Sequence, residues 1–356
     1  MEMKQTVMKR KGKQISIVLS FVLMAGLFAG CGGRDNATQA GAGSPVPENT
    51  QEDASAPVEL RLNVVSTGTQ SIPAFLIQKL ELDKKYGFEL KAVEDSGVVN
   101  ANWISFKTGQ VDGMISDWLS LARNMKQGAE ALAVVPFLGW GNGILVPEDS
   151  AVQGLEDLND LKIGVYNRNS PDWVFIRAAA KKLHNFDPEK TNSVSEAAPG
   201  LLLGLIQEKK VDMTLNYGDL NNKLAGPGGY RIPFLISEIL TDIDLSAEAP
   251  FLFYTFSKSF IEEHPDTVQA FAAAYKEAME FLMTDAEIWN EIAGRMDVTN
   301  EKTIELMKEN ARNNIFTELT PEMDAHIRNM FDVLKEEAGE KELGIDSLPD
   351  ELIWHP

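Results

Sequence analysis

The sequence predicts an α/β protein of two lobes, each a mostly parallel sheet flanked by helices, with a helical C-terminal region. Three observations carry this. Between residues 58 and 136, short apolar runs alternate with segments of helical spacing, the order that builds a parallel sheet covered by helices. The same order returns between 161 and 215. Two segments also share one local design, GQVDGMIS at 109–116 and KKVDMTLN at 209–216, which points to two similar lobes rather than a tandem repeat.

The elements follow in order. LRLNVV at 60–65 is a short apolar strand with period-2 character. Ser71 is a candidate N-cap, Pro73 falls in the first turn, and a helix runs over 74–85 to Gly87. Strands are predicted at 88–93, 111–115 and 131–136. Between them lie helices at 100–108, stopped by Gly109, and at 117–127, stopped by Gly128. In the second stretch LKIGV at 161–165 is a strand. Ser170-Pro171-Asp172 opens the helix 173–183, with an acid in the first turn where the helix dipole favours it. PGLLLGLIQEK at 199–209 is a helix and VDMTL at 211–215 the strand after it. The last hundred residues read as helices at 266–283, 285–296, 300–313 and 320–338, the last begun by Thr320-Pro321. Those beyond Asn313 are expected to brace the first lobe, with the acids Glu336, Glu337, Glu340 and Glu342 facing water.

The N-terminal region has a different character. A basic head (Lys4, Lys9, Arg10, Lys11, Lys13) precedes an apolar run of 16 residues, 15–30, which ends in small residues as a secretory signal does. The run is short of the roughly 20 residues a spanning helix needs. Leu27-Phe28-Ala29-Gly30-Cys31 resembles the lipobox of bacterial lipoproteins, with Phe28 where leucine is most usual. That resemblance implies that Cys31 becomes the mature N-terminus and carries lipid. A lone cysteine is more often a small buried hydrophobe, but one at the end of such a run has no core to enter. Residues 31–57 are rich in Gly, Ala, Ser, Pro, Asn and Gln, and bury too little apolar surface to offset their ordering entropy, so a flexible tether is expected.

Charge and composition exclude several function classes. The chain carries 53 Asp and Glu against 33 Lys and Arg, a formal net charge of −20. Such a surface repels phosphate backbones and argues against nucleic-acid partners. With one cysteine there are no disulfides or thiolate metal sites. His184, His264, His326 and His355 show no ligand spacing, so no metal site is expected.

In open parallel sheets, ligands sit beyond the carboxyl ends of the strands, where helix N-termini point free N–H groups into a crevice. The residues after each strand are therefore the candidates: Thr67, Gly68, Thr69 and Gln70 after the first, Asp117 and Trp118 after the third, and Trp140 after the fourth. In the second lobe they are Tyr166, Arg168, Asn169, Ser170, Trp173, Tyr217 and Asp219. Small hydroxyl and amide groups can hydrogen-bond a buried ligand, and aromatics supply flat apolar walls. Arg168 is the strongest candidate for holding an anion. Asp117, Asp172 and Asp219 in the same loops weigh against a purely anionic site.

The segments GQVDGMISDWLSLARNMKQGAEALAVV, LEDLNDLKIGV, GLLLGLIQEKKVDMTL and SKSFIEEHPDTVQAFAAAYKEAMEFL resemble the solute-binding proteins of ABC importers in the nitrate/sulfonate/taurine and thiamine-precursor group. LNDLKIGV departs from the usual pattern in lacking a Gly-Lys pair. The resemblance implies the periplasmic-binding-protein type II architecture. Lobe I would hold 58–146 plus 253–356 and lobe II 147–252, with two crossings near 143–148 and 250–256. It also implies a monomer that needs no cofactor, captures a small solute between hinged lobes, and presents it to a membrane permease and its ATPase. An aromatic wall with carboxylates suits an aromatic or heteroaromatic solute, such as a thiamine-precursor pyrimidine. The alternative is a sulfonate, taurine or nitrate anion. Other classes are a non-transport sensor lipoprotein and an enzyme like the fungal pyrimidine synthases of this fold. With no cysteine beyond Cys31 and no histidine in a strand-end loop, catalysis is not expected.

Overall fold

The computed structural model describes residues 56–65, 68–95 and 100–356. The signal-like run, Cys31, the expected tether and Thr67 lie outside the described residues. Among the described residues, ten strands, numbered in chain order, form two five-stranded sheets. They are β1 Val58–Val64, β2 Phe88–Glu94, β3 Gly113–Asp117, β4 Ala131–Leu138, β5 Ile144–Pro147, β6 Lys162–Val165, β7 Ser193–Glu196, β8 Met213–Leu215, β9 Tyr230–Arg231 and β10 Leu252–Ser257.

The first sheet has the order β2-β1-β3-β10-β4 and the second β7-β6-β8-β5-β9. In the first, β1 pairs in parallel with β2 and β3, while β10 runs antiparallel to β3 and β4. In the second, β6 pairs in parallel with β7 and β8, and β5 runs antiparallel to β8 and β9. Both sheets are thus mixed. In each, the antiparallel strand is the one that follows a change of sheet. The boundary expected at residue 146 would divide β5, which pairs wholly within the second sheet. The first change of sheet therefore falls earlier, in residues 139–143.

The twin Val-Asp segments have a common structural cause. Asp112 accepts from the backbone N–H of Arg61 through Oδ2 at 2.9 Å, and its own N–H donates to Arg61 O at 2.8 Å. Asp212 does the same to Lys162, at 2.7 Å each way. In each lobe the carboxylate fixes the start of the central strand, and the valine before it (Val111, Val211) is buried beneath. The third strand begins two residues later than the sequence suggests because Val111 and Asp112 make this junction instead of a ladder.

The helices of the first lobe form near the expected positions, but the one expected over 74–85 is broken into Ile72–Lys79 and Leu82–Lys85 at Glu81, which is left-handed. Pro265–Thr284 lays Val268, Phe271, Tyr275 and Met279 into the core under β1, β10 and β4. The chain then departs from the expectation that its C-terminal helices brace the first lobe. Glu301–Asn314, capped by Asn300, whose Oδ1 accepts from Thr303 N, touches helix Gly218–Ala225 of the second lobe. A methyl group on Gly226 would lie 2.8 Å from the Thr303 Cα, so the two helices are in backbone contact there. Pro321–Glu337 packs on Pro171–His184, also in the second lobe. The chain finally returns to the first sheet, where Ala133 N donates to Leu352 O (3.0 Å) and Trp354 N to Ala133 O (2.8 Å). It therefore passes between the lobes more often than the two crossings expected. Glu342 is not merely solvated either: it pairs with Arg177 at 2.9 Å.

Candidate functional site

The strand-end loops of both sheets converge on one acidic, aromatic cluster. Tyr166 follows β6 and Tyr217 follows β8. Since these strands are neighbours, the two rings meet at 4.9 Å. Tyr217 caps the start of helix Gly218–Ala225 and leaves 39 % of its surface exposed, whereas Tyr166 is buried. The Tyr166 hydroxyl donates to Asp172 at 3.0 Å. Asp172 also accepts from Trp173 N (2.9 Å) and from Asn142 Nδ2 (3.2 Å), which comes from the segment joining the sheets. Asp172 is thus fully engaged in holding Tyr166 to the crossing.

Asp117 ends β3 and caps helix Trp118–Lys126, its Oδ1 accepting from Ser120 N at 2.7 Å. Asp219 lies across from the first lobe's opening loop, where a methyl group on Gly68 would sit 2.8 Å from Asp219 Oδ2. Gly68 has a φ of +87°, so both the backbone and this contact favour glycine. Burial, together with the charges of Asp172, Asp219, Asp95 and Asp117, pushes the Tyr217 hydroxyl up to about 12. Four carboxylates, two from each lobe, therefore bear on one ring. Among the described residues, the cations acting on these acids are Arg123, on Asp117, and Lys223, on Asp219.

Other predicted residues lie elsewhere. Arg168 donates through Nη1 to Glu189 at 2.5 Å and through Nη2 to the Val194 carbonyl, which draws it to the edge strand β7. It is not a crevice cation. Trp173 is fully buried with its indole N–H on Glu189 (2.8 Å), and Trp118 is fully buried in the core, so neither lines the cluster. Trp140 is buried between Phe175 and Phe251 and donates to Ala249 O at 2.8 Å, tying together the two segments that join the lobes. Position after a strand located these tryptophans near the crevice, but their apolar area drew them inward. Ser170 turns its hydroxyl back to Asn167 O (2.8 Å) and Asn169 is exposed beside it. Thr69 and Gln70 form a half-buried turn before helix Ile72–Lys79.

Two further residues take part, Asn142 from the loop after the fourth strand and Arg123. Asn142 has the amide chemistry of the other candidates and sits in a strand-end loop. Arg123 lies mid-helix and gave no signal. It donates to Asn169 O at 2.7 Å, and so spans from the first lobe to the second.

Burial raises the carboxyls of Asp117, Asp172 and Asp219 above the ordinary value. Between the unfolded value and the raised folded ones, the folded state holds more protons, so this contribution to stability is lost as pH rises. Asp187 works oppositely. Against the effect of burial, the Arg177 guanidinium holds it low, and its contribution disappears as pH falls through its folded value. As pH rises above the ordinary carboxylate range, the melting temperature is expected to decline. Asp117→Asn or Asp219→Asn should flatten that decline in a melting series from acid to neutral pH.

Neither a family model nor a curated protein matches the sequence. Solved structures do match. The periplasmic aliphatic sulphonate binding protein of Escherichia coli aligns with a TM-score of 0.67 at 18% identity, over 84% of this chain and 93% of that one. A fungal protein from Candida albicans, described as having the generic periplasmic binding protein fold, aligns with a TM-score of 0.59 at 15% identity, over 84% and 99%. The fold is that of the periplasmic binding proteins. The alkanesulfonate-binding protein of Xanthomonas axonopodis pv. citri, solved with MOPS bound, aligns at 0.65 and 14% identity, over 84% and 99%. In this periplasmic-binding-protein fold, the acidic cluster lies where loops of both lobes meet.

Proposed function

We propose that this chain is the extracytoplasmic solute-binding component of an ABC importer, held to the membrane by lipid on Cys31. Its solute is a nitrogen-bearing heteroaromatic, of the aminopyrimidine class. The fold supports the first part, and the signal-like run ending at Cys31 supports the anchor. One observation carries the choice of solute. The charges of Asp172, Asp219, Asp95 and Asp117 all bear on Tyr217, which meets Tyr166 at 4.9 Å, while the arginine best suited to an anion is engaged by Glu189. Carboxylates accept hydrogen bonds, so the solute must donate them, and amino groups or a protonated ring nitrogen do so. The exposed Tyr217 ring offers a flat wall and attracts a cationic ring by its face. A sulfonate at this place would meet carboxylates from both lobes.

Each sheet and the helices covering it form one lobe, and a solute touching both favours their approach. The chain binds and releases its cargo unchanged, acts as a monomer, and hands the cargo to a permease driven by an ATPase. Titration calorimetry on the full chain tests the solute class. A thiamine-precursor aminopyrimidine should bind and release heat, while MOPS and short alkyl sulfonates should not. Tight sulfonate binding with none of the pyrimidine would refute the reading.

A further inference from the structure

The C-terminal segment is one stretch of chain fastened to both lobes. Helix Pro321–Glu337 packs on Pro171–His184 of the second lobe and buries Ile327, Met330, Phe331 and Leu334, and Leu352–Trp354 then bonds to the edge strand β4 of the first. Arg123 stands where this segment meets both. It belongs to helix Trp118–Lys126 of the first lobe, directly after the crevice acid Asp117. Its Nε donates to Leu343 O (2.6 Å) and its Nη2 to Glu342 O (3.3 Å), both in the C-terminal segment. Its Nη1 donates to Asn169 O (2.7 Å), in the crevice loop of the second lobe. From the second lobe Arg177 reaches the same segment, donating to Glu342 at 2.9 Å while paired with Asp187.

We infer that Arg123 is a latch, a positioning residue that holds the two lobes together before any solute arrives. The guanidinium is a planar fork of five donors, and two carbonyls of the C-terminal segment fix its plane so that the third arm points at Asn169. Opening the crevice carries the loop of Asn169 away from helix Trp118–Lys126, and the Nη1 bond must break. The segment cannot follow both lobes at once, so its ties resist the same motion. A latch of this kind keeps the binding-competent arrangement populated in the free protein. Apparent affinity is reduced by whatever fraction of molecules is not competent, so losing the latch weakens binding without removing a solute contact.

The test needs no solute, and its outcome is independent of which cargo the crevice takes. Ile104 and Leu201 are 61% and 58% exposed, on helices of the first and second lobe. In the full chain carrying Cys31→Ser, cysteines at these two positions receive nitroxide labels, and their separation is read by double electron–electron resonance. The parent should give one dominant short separation. Arg123→Ala should raise the longer-separation population about tenfold, the factor expected for losing one charge-assisted hydrogen bond. Arg123→Lys, which keeps the charge and a donor, should recover part of the short population. Glu342→Ala, which cuts only the Arg177 tie, should shift the distribution less and in the same direction. Where Arg123→Ala fails to fold, Arg123→Gln, which keeps the side-chain stem and loses the guanidinium fork, decides the matter. A parental distribution in folded Arg123→Ala, or in Arg123→Gln where the former does not fold, would overturn the latch. So would a parent already divided evenly between two separations.

Discussion

Trp140→Ala is expected to cost about 3–5 kcal/mol of stability, the range for removing a large buried aromatic. The ring is 2% exposed and packs edge-on to Phe175 (5.1 Å) and against Phe251 (4.7 Å). Its neighbours lie on two stretches far from it in sequence, the second crossing (Ala249 and Phe251) and a helix of the second lobe (Phe175). No single side chain could move in to fill the space. The indole also satisfies Ala249 O, which would be left buried without a partner. Trp140→Phe separates the two effects, since it keeps most of the packing and loses the bond, for about 1 kcal/mol. Denaturant unfolding of both variants checks the sizes. A cost below that of the Phe variant for Trp140→Ala would mean the crossings are held by something else.

Tyr217→Ala is expected to weaken aminopyrimidine binding about tenfold to a hundredfold, the usual loss on removing an aromatic stacked on a heteroaromatic ring. The residue is partly exposed, so the fold should survive with little change apart from the lost contact to Tyr166. Tyr217→Phe should bind nearly as well as the parent, because the argument uses the ring and not the hydroxyl. Calorimetric affinities for the three proteins measure this. Equal affinity in parent and Tyr217→Ala would remove Tyr217 from the site.

Much of the scaffold could be read from the sequence, for local reasons. Short apolar runs gave β1 to β4, β6 and β8: β3, β4 and β8 are buried along nearly their whole length, and the outer strand β2 alternates as a half-buried strand does. Asp117 and Asn300 were well placed to cap because a cap needs only its own first turn. Strands β5 and β10 were hidden because they lie in the crossing segments, and their partners are distant in sequence. The site was half legible. Tyr217 and Asp219 sit at a strand end and join the acidic cluster there. Arg168 sits at a strand end too, but its fate depended on Glu189, 21 residues away. The stripe on Pro321–Glu337 announced a buried face without naming its partner, so the helix was expected on the first lobe and packs on the second.

The order of the first sheet also has a consequence during synthesis. Strand β10 separates β3 from β4, yet it is made more than a hundred residues after β4 ends. At ribosomal rates that is a delay of roughly ten seconds. Until then β3 and β4 have no common neighbour, and the first sheet cannot close, while all five strands of the second sheet have already been made. A nascent chain in that state stays pliable at its leading end. It can be threaded through a narrow channel before its last strand locks it into shape.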